Sequence, residues 1–176
     1  MTAREKIKKC GIIMSRRGIN LVPRRVIFLD IDGVLNNRHT RVTTNMGWCF
    51  VDDFLVARVC KIVDATGALI VLSSTWRDEW HVDDESRNGS DFNELRAKFR
   101  EFGMDFYDRT GAWNTRGRGW EILTWLEEHE AVESFVILDD WNDMGPVRNH
   151  LIQTNPSLGL TEEQVQEAIE ILLQNS

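Results

Sequence analysis

The sequence predicts an α/β fold in which a central, mostly parallel sheet carries helices on both faces. Short apolar runs bounded by polar turns alternate along the chain with segments of helical period, and this alternation is typical of three-layer sandwiches. The apolar runs are rich in β-branched and large residues, as strands buried on both faces are. At 176 residues the chain suits one domain of this kind and is short for two.

The first half of the chain predicts two strands and two helices in alternation. The strands are 26–29 and 68–72, and the helices run from 52 to about 66 and from 90 to 103. Apolar residues recur at helical spacing in the first helix, and Gly67 follows it as a stop signal. Ser90 is the predicted N-cap of the second helix.

The second half continues the pattern. We predict strands at 104–107, 134–138 and 151–154, and a helix that begins near 119 between the first two of them. Thr161, with Gln164 three residues later, predicts the start of the last helix. The predicted order is therefore β-α-β-α-β-α-β-β-α.

Composition excludes several classes of protein. Hydrophobic residues at 42% and charged residues at 28% fit a globular chain and exclude a disordered or fibrous one. Three cysteines without a CxxC pair indicate neither a disulfide framework nor a zinc site. No apolar run approaches the roughly 20 residues of a membrane span, and the N-terminus lacks a signal-peptide core, so we expect a cytoplasmic protein with no membrane partner.

The net charge of −7 is unevenly distributed. Up to Arg25 the chain has eight basic residues against one acid. We therefore predict a basic arm at residues 1–22 and one folded domain at 23–176. A frayed, solvated tail is the preferred interpretation of the arm, and contact with nucleic acid phosphates is the alternative.

Polar side chains follow three of the predicted buried strands, namely Asp30, Ser73 and Asp139. In open parallel sheets, ligands bind at the carboxyl ends of the strands, where the connecting loops form a crevice. We therefore expect these three residues to lie at one site.

The strongest motif is the run from Phe28 to Val34, FLDIDGV, in which Asp30 and Asp32 leave a strand together. Gly33 allows the turn that brings both carboxylates toward one ligand. One carboxylate can attack phosphorus, while a second protonates the leaving oxygen and later deprotonates water. This pattern favours Asp30 as the nucleophile and Asp32 as the acid/base; a turn with solvated acids is the alternative.

The second motif is the run from Val71 to Arg77, VLSSTWR. Hydroxyls and unpaired N–H groups between a strand and a helix N-terminus form an anion site. We predict that Ser73 binds the substrate phosphate, with Ser74 next; an ordinary N-cap is the alternative. Trp76 and Arg77 are candidates for stacking on the substrate or pairing with it, and core packing is equally consistent for Trp76.

The third motif is the run from Val136 to Asp143, VILDDWND. Magnesium prefers oxygen ligands, usually one or two carboxylates with waters and substrate phosphate. Asp139 with Asp143 or Asp140, joined by Asp30, can supply such ligands. An acidic helix start is the alternative interpretation.

A cation is expected to balance the phosphoryl oxygens, because preorganised positive charge carries much of the rate enhancement in such reactions. Arg116 and Arg118 precede the helix that leads to the Asp139 strand. Arg118 is preferred because it lies closer to the start of that helix.

Together the three motifs and the basic residue resemble the four ordered motifs of the haloacid dehalogenase (HAD) superfamily. The resemblance covers residues 26 to about 145 and implies a Rossmann-like core. It implies Asp30 as nucleophile, Asp32 as acid/base and Ser73 as phosphate ligand. It also implies Mg²⁺ held by Asp30, Asp139 and the backbone carbonyl of Asp32. The third motif is commonly lysine, and an arginine there presents a planar fork rather than a point charge.

Within that superfamily, the chain is similar to small phosphatase domains associated with polynucleotide repair. Neither gap between the motifs has room for a full cap domain, so we expect a minimal cap and an open site. The resemblance implies a Mg²⁺-dependent phosphomonoesterase, with 3′-phosphate ends of nucleic acid as candidate substrates. A small-molecule nucleotidase and a non-catalytic nucleic-acid-binding protein on the same scaffold are the alternatives.

Overall fold

A computed structural model describes residues 24–111, 116–129 and 131–174 of the chain. The predicted basic arm, residues 1–22, lies outside the described residues. Among the helices that are described, none is both long and apolar enough to cross a membrane.

The described residues form one sheet of five parallel strands in the order β3-β2-β1-β4-β5. These strands are β1 (Arg24–Leu29), β2 (Leu69–Leu72), β3 (Phe106–Arg109), β4 (Val132–Asp139) and β5 (Leu151–Gln153). The predicted Rossmann-like α/β fold is confirmed, and the sheet is wholly parallel rather than mostly parallel within this part of the chain. β1 lies at the centre, between β2 and β4.

In the described residues, three α-helices connect successive strands and a fourth follows the last strand, in the predicted order. They are α1 (Asp53–Thr66), α2 (Ser90–Glu101), α3 (Arg118–Glu127) and α4 (Glu162–Leu173). Gly67 ends α1 at φ 68°, and Thr161 with Gln164 forms a capping box at α4, as predicted. The predicted N-cap at Ser90 is wrong, because Gly89 occupies that position without a side-chain cap. β3 begins two residues later than predicted, since only Phe106 of its four side chains is buried.

Alternation along β1 divides the core between the two faces of the sheet. Ile27 and Leu29 pack in the larger cluster, which includes the buried faces of α1, α2 and α4. Val26 and Phe28 point to the opposite face, where α3 and the 3₁₀ helix Gly145–His150 cover them. Phe28 meets Trp125 of α3 edge to face at 5.3 Å between ring centroids. The central strand therefore packs against a separate hydrophobic cluster on each face of the sheet.

The segments where related folds insert cap domains are short. Residues 42–50, which we call the hairpin, pair Thr43 with Cys49 in an antiparallel bridge. The backbone N–H of Asn45, at the hairpin tip, donates to the Glu94 carboxylate of α2 at 3.1 Å. After β2, residues 73–89 contain only two 3₁₀ helices, Thr75–Glu79 and Glu85–Arg87. The expected minimal cap is confirmed.

Candidate active site

The three predicted strand-end residues meet at one edge of the sheet. Asp30 follows β1, Ser73 follows β2, and Asp139 ends β4. The backbone N–H of Asp30 donates to the carbonyl of Leu138 at 2.9 Å, and that of Ser73 donates to Leu29 at 2.8 Å. The central strand and its two neighbours therefore hold all three residues in register.

Three carboxylates converge at this edge. Oxygens of Asp30, Asp139 and Asp140 all lie within 4.8 Å of one another. Asp139 has no exposed surface and Asp30 is 5% exposed, whereas Asp140 is half-buried. Gly33 makes room for this group: its φ is 75°, and a Cβ there would lie 2.6 Å from Oδ2 of Asp140. We call these three residues the carboxylate group.

Arg118, the first residue of α3, enters the carboxylate group. Its Nη1 lies 2.8 Å from Oδ2 of Asp30 and also donates to Oδ2 of Asp139. Burial is the largest effect on the Arg118 pKa and lowers it, but the two carboxylates outweigh burial and raise that pKa above its ordinary value. Gly119 permits this placement, because a Cβ there would lie 2.0 Å from the carbonyl oxygen of Met144. The loop after β4 therefore packs directly on the start of α3.

One arginine does not neutralise the group. Burial, followed by repulsion from Asp30, raises the pKa of Asp139 from 3.8 to about 6, although Arg118 and the backbone N–H of Trp141 oppose the shift. Burial and Asp30 likewise raise the pKa of Asp140. Excess negative charge thus remains among three carboxylates that share a single guanidinium.

The carboxylate group fits a hard divalent cation. Its donors are all carboxylate oxygens, the preferred ligands of Mg²⁺, and they converge closely enough to share one ion. A bound cation would also relieve the repulsion that raises the pKa of Asp139. The structure therefore brings together three of the predicted ligands, Asp30, Asp139 and Asp140. Asp143 is exposed and lies outside this group.

The side chain of Asp32 occupies a different place from the other acids. It is exposed, lines the cavity, and is not one of the three converging carboxylates. Its Oδ1 accepts a hydrogen bond from Nδ2 of Asn36 at 2.8 Å, and its Oδ2 accepts one from the indole Nε1 of Trp76 at 3.0 Å. The backbone carbonyl of Asp32 remains a predicted metal ligand. Its side-chain carboxyl makes no contact with Asp30, Asp139 or Asp140 that would include it among the converging acids.

Ser73 and Ser74 present buried hydroxyls at the sheet edge that carries Asp30, although neither residue lines the cavity there. Both side chains are almost wholly inaccessible, and neither Oγ has a hydrogen-bond partner among the described residues. Ser74 occupies the N-cap position of the 3₁₀ helix Thr75–Glu79, yet its hydroxyl makes no capping bond. The alternative of an ordinary N-cap therefore does not account for these hydroxyls. Unsatisfied buried polar atoms of this kind are rare and point to a missing partner.

The cavity at this edge has a volume of about 470 Å³. Its lining combines the acids and Arg118 with polar loop residues. The lining residues are Asp30, Asp32, Gly33, Asn36, Asn37, Arg38, Thr75, Arg118, Asp140 and Pro156.

Arg77, a predicted phosphate ligand, does not line this cavity. Its Nη2 forms a buried ion pair with Glu121 of α3 at 2.9 Å, and its Nη1 donates to Thr110 at 3.3 Å. The structure thus gives Arg77 a role in joining the segment after β2 to α3. Arg116 lies over the ring of Trp120 at 5.0 Å, and Arg118 is the arginine that enters the carboxylate group.

Sequence reasoning missed two groups of contacts. Asn36 and Trp76 hold Asp32, and Glu121 holds Arg77. The sequence predicts stacking or core packing for Trp76, and its indole N–H is the signal that points to an acceptor. Glu121 had no such signal, because an acid in the first turn of a helix is ordinarily favoured by the helix dipole alone.

Comparison with known proteins assigns the family. Residues 26–165 match the family model described as "HAD domain in Swiss Army Knife RNA repair proteins". No curated protein and no solved structure matches the chain. The match supports a HAD-type phosphatase in general terms, and HAD proteins are generally Mg²⁺-dependent. Since the match spans most of the sequence and all of the motifs, the chain belongs to this family of HAD domains.

Proposed function

We propose that this protein is a Mg²⁺-dependent phosphatase that cleaves phosphomonoesters through an aspartyl-phosphate on Asp30. One observation carries the proposal: a carboxylate paired with Arg118 lies at the same sheet edge as two buried hydroxyls, and neither hydroxyl has a hydrogen-bond partner in the described part of the chain. A phosphoryl group offers acceptor oxygens for the hydroxyls and negative charge for the arginine. The same site thus provides a nucleophile and a receptor for the group that it attacks.

In the first step an oxygen of Asp30 attacks the phosphorus atom. The ester P–O bond breaks, its electron pair goes to the leaving oxygen, and the protonated Asp32 gives that oxygen its proton. Arg118 orients the nucleophile, because its Nη1 holds Oδ2 of Asp30 at 2.8 Å. Ser73 and Ser74 donate to phosphoryl oxygens, which satisfies their hydroxyls.

In the second step a water molecule attacks the phosphorus atom of the aspartyl-phosphate. Asp32, now a carboxylate, accepts a proton from that water. The bond between phosphorus and the Asp30 oxygen breaks, so that inorganic phosphate leaves and the Asp30 carboxylate is restored. The two roles of Asp32 alternate and return it to the protonated state.

Asp30, Asp139 and Asp140 would hold the divalent cation, together with the backbone carbonyl of Asp32. When bound, the cation supplies positive charge that offsets the phosphoryl oxygens and the carboxylates. Asp140→Asn is expected to raise the Mg²⁺ concentration needed for half-maximal activity. Asp143→Asn is the matched control, because Asp143 is exposed and outside the carboxylate group. An equal effect of both substitutions would refute the ligand assignment.

Release of phosphate from an aryl phosphate, with Mg²⁺ and with a chelator, tests the activity. Mg²⁺-dependent release is expected from the unaltered protein. Asp30→Asn is expected to abolish it, since an amide oxygen is a poor nucleophile. Glu167→Gln, at an exposed position on α4, serves as the control for loss of one acid. Retention of activity in Asp30→Asn would contradict the proposal.

We further propose nucleic acid ends bearing a 3′-phosphate as the substrate class. The absence of a cap domain from the described residues leaves room for a bulky substrate, and Arg38 lines the cavity. Two exposed tryptophans suit stacking on bases: Trp141, next to Asp140 in the chain, and Trp48 of the hairpin, each 66% exposed. The family description, which names RNA repair proteins, agrees with this choice.

Trp141→Ala tests the stacking. Loss of one stacked base is worth about 1–3 kcal/mol, so the KM for a 3′-phosphorylated oligonucleotide should rise much more than the KM for an aryl phosphate. Leu173→Ala removes an exposed apolar side chain from the far end of α4 and serves as the control. Turnover of mononucleotides that exceeds that of oligonucleotides by orders of magnitude would favour the nucleotidase alternative instead.

A further inference from the structure

The carboxyl group of Asp32 is held from two sides by neutral donors. The indole N–H of Trp76 donates to Oδ2 at 3.0 Å, and the amide of Asn36 donates to Oδ1 at 2.8 Å. We propose that Trp76 is a positioning residue that, with Asn36, holds Asp32 in place for proton transfer. This inference rests on the proposed function, in which Asp32 is the acid/base.

Asp32 needs such support because its own surroundings give it little. It is exposed at the edge of the cavity, where an aspartate side chain without hydrogen-bond donors would be free to change rotamer. The guanidinium of Arg118 contacts Asp30 and Asp139 rather than Asp32. Proton transfer requires the acid to lie within hydrogen-bond reach of the leaving oxygen. Two fixed donors restrict the carboxyl group to one orientation and lower the entropy lost on reaching the transition state.

Both donors are themselves fixed. Asn36 is buried, and its Oδ1 accepts the backbone N–H of Gly33 at 2.9 Å, so its amide nitrogen must face Asp32. Trp76 is partly buried against the larger hydrophobic cluster. Its ring centroid lies 6.3 Å from that of Phe50, the last residue of the hairpin. The rigid frame therefore extends from the core through two side chains to the acid.

The two donors leave part of the hydrogen-bonding capacity of the Asp32 carboxyl group unused. An ionised carboxylate has about four lone-pair sites, two on each oxygen. One bond from Asn36 to Oδ1 and one from Trp76 to Oδ2 leave each oxygen able to carry or accept the transferred proton. Orientation by these donors is therefore compatible with acid/base chemistry.

The test compares Trp76→Phe with Trp125→Phe. Both substitutions keep an aromatic ring and delete an indole N–H that donates to an aspartate; Trp125 donates to Asp108 at 2.7 Å, on the α3 side of the sheet. The measurement is kcat/KM for an aryl phosphate and for an alkyl phosphate. An aryloxide leaves with little help from an acid, whereas an alkoxide needs a proton, and general acids commonly contribute about 10²–10⁴-fold.

Trp76→Phe is expected to lower kcat/KM for the alkyl ester about tenfold or more beyond its effect on the aryl ester. Trp125→Phe should leave the ratio between the two esters unchanged. Equal losses on both esters in Trp76→Phe would overturn the inference while leaving the proposed function intact. Failure of the unaltered protein to cleave either ester would overturn the proposed function and, with it, this inference.

Indole N–H resonances provide a second measurement that does not depend on activity. The chain has seven tryptophans, and the signal absent from Trp76→Phe identifies that of Trp76. Asp32→Ala should shift this signal, because the acceptor is removed, and should leave the signal of Trp125 in place. An unmoved Trp76 signal in Asp32→Ala would overturn the inference whatever the effect of Trp76→Phe on activity.

Discussion

Replacement of Asp139 by asparagine is expected to stabilise the metal-free protein near neutral pH. Asp139 is fully buried beside Asp30, and burial with that repulsion raises its pKa from 3.8 to about 6. At about 1.4 kcal/mol per pH unit, this difference corresponds to about 3 kcal/mol. The ionised carboxylate therefore opposes folding when no cation accompanies it.

The sign follows from linkage between proton binding and folding. A group with a raised folded pKa contributes stability that is fully present below its unfolded pKa and is lost as the pH rises through the folded pKa. Asp139 should thus remove up to about 3 kcal/mol between about pH 4 and pH 6. Asparagine does not ionise, but it cannot match both the Arg118 and the Trp141 N–H hydrogen bonds. The net gain in Asp139→Asn is therefore about 1–3 kcal/mol.

Urea unfolding with a chelator, at about pH 4 and about pH 7.5, measures this gain. Asp139→Asn should have the higher free energy of unfolding at the higher pH and little advantage at the lower one. Added Mg²⁺ should stabilise the unaltered protein more than the variant, because the variant lacks one of the proposed carboxylate ligands. Glu167→Gln controls for loss of a surface charge. A variant less stable than the unaltered protein at the higher pH, with chelator present, would refute the reasoning.

Two further substitutions test the frame around the site by urea unfolding. Gly33→Ala should lower the free energy of unfolding by about 1–3 kcal/mol and weaken Mg²⁺ binding, because a Cβ strains its left-handed backbone and collides with Asp140. Gly47→Ala, at φ 87° with no atom near its Cβ, is the control that has the strain without the collision; equal losses in both variants would exclude a packing role for Gly33. Glu121→Ala should cost about 3–5 kcal/mol, because it strands the buried charge of Arg77. The double substitution Arg77→Met with Glu121→Leu should recover most of that loss, and no recovery would contradict this explanation.

The fold could be predicted from the sequence because its signals are local. The β-branched run before Asp30, the glycine after α1 and the capping box at Thr161 each specify an element without reference to the rest of the chain. The predicted bounds of β3 differ from the observed ones by two residues, because three of its four side chains are not buried and its hydrophobic signal is therefore weak. Local patterning therefore predicts elements best where a strand is buried on both faces.

The site could be predicted only as far as strand ends determine it. The convergence of Asp30, Ser73 and Asp139 follows from parallel pairing alone. The choice of Asp140 over Asp143 depends on how the chain turns after β4. The contact between Trp76 and Asp32 joins residues 44 positions apart. Long-range side-chain contacts of this kind leave no periodic signal in a sequence.

The strand order has a consequence for how such a protein can be altered. The residues that we propose as nucleophile, phosphate-binding hydroxyls and acidic ligands all lie at the ends of the middle three strands. In this proposal neither β3 nor β5, at the margins of the sheet, contributes a reacting group. Randomised libraries confined to the hairpin and to the exposed positions 141–143 after Asp140 would therefore vary the surroundings of the substrate, while Asp30, Ser73, Asp139 and Asp140 are kept. New specificities are best sought in those two surface segments.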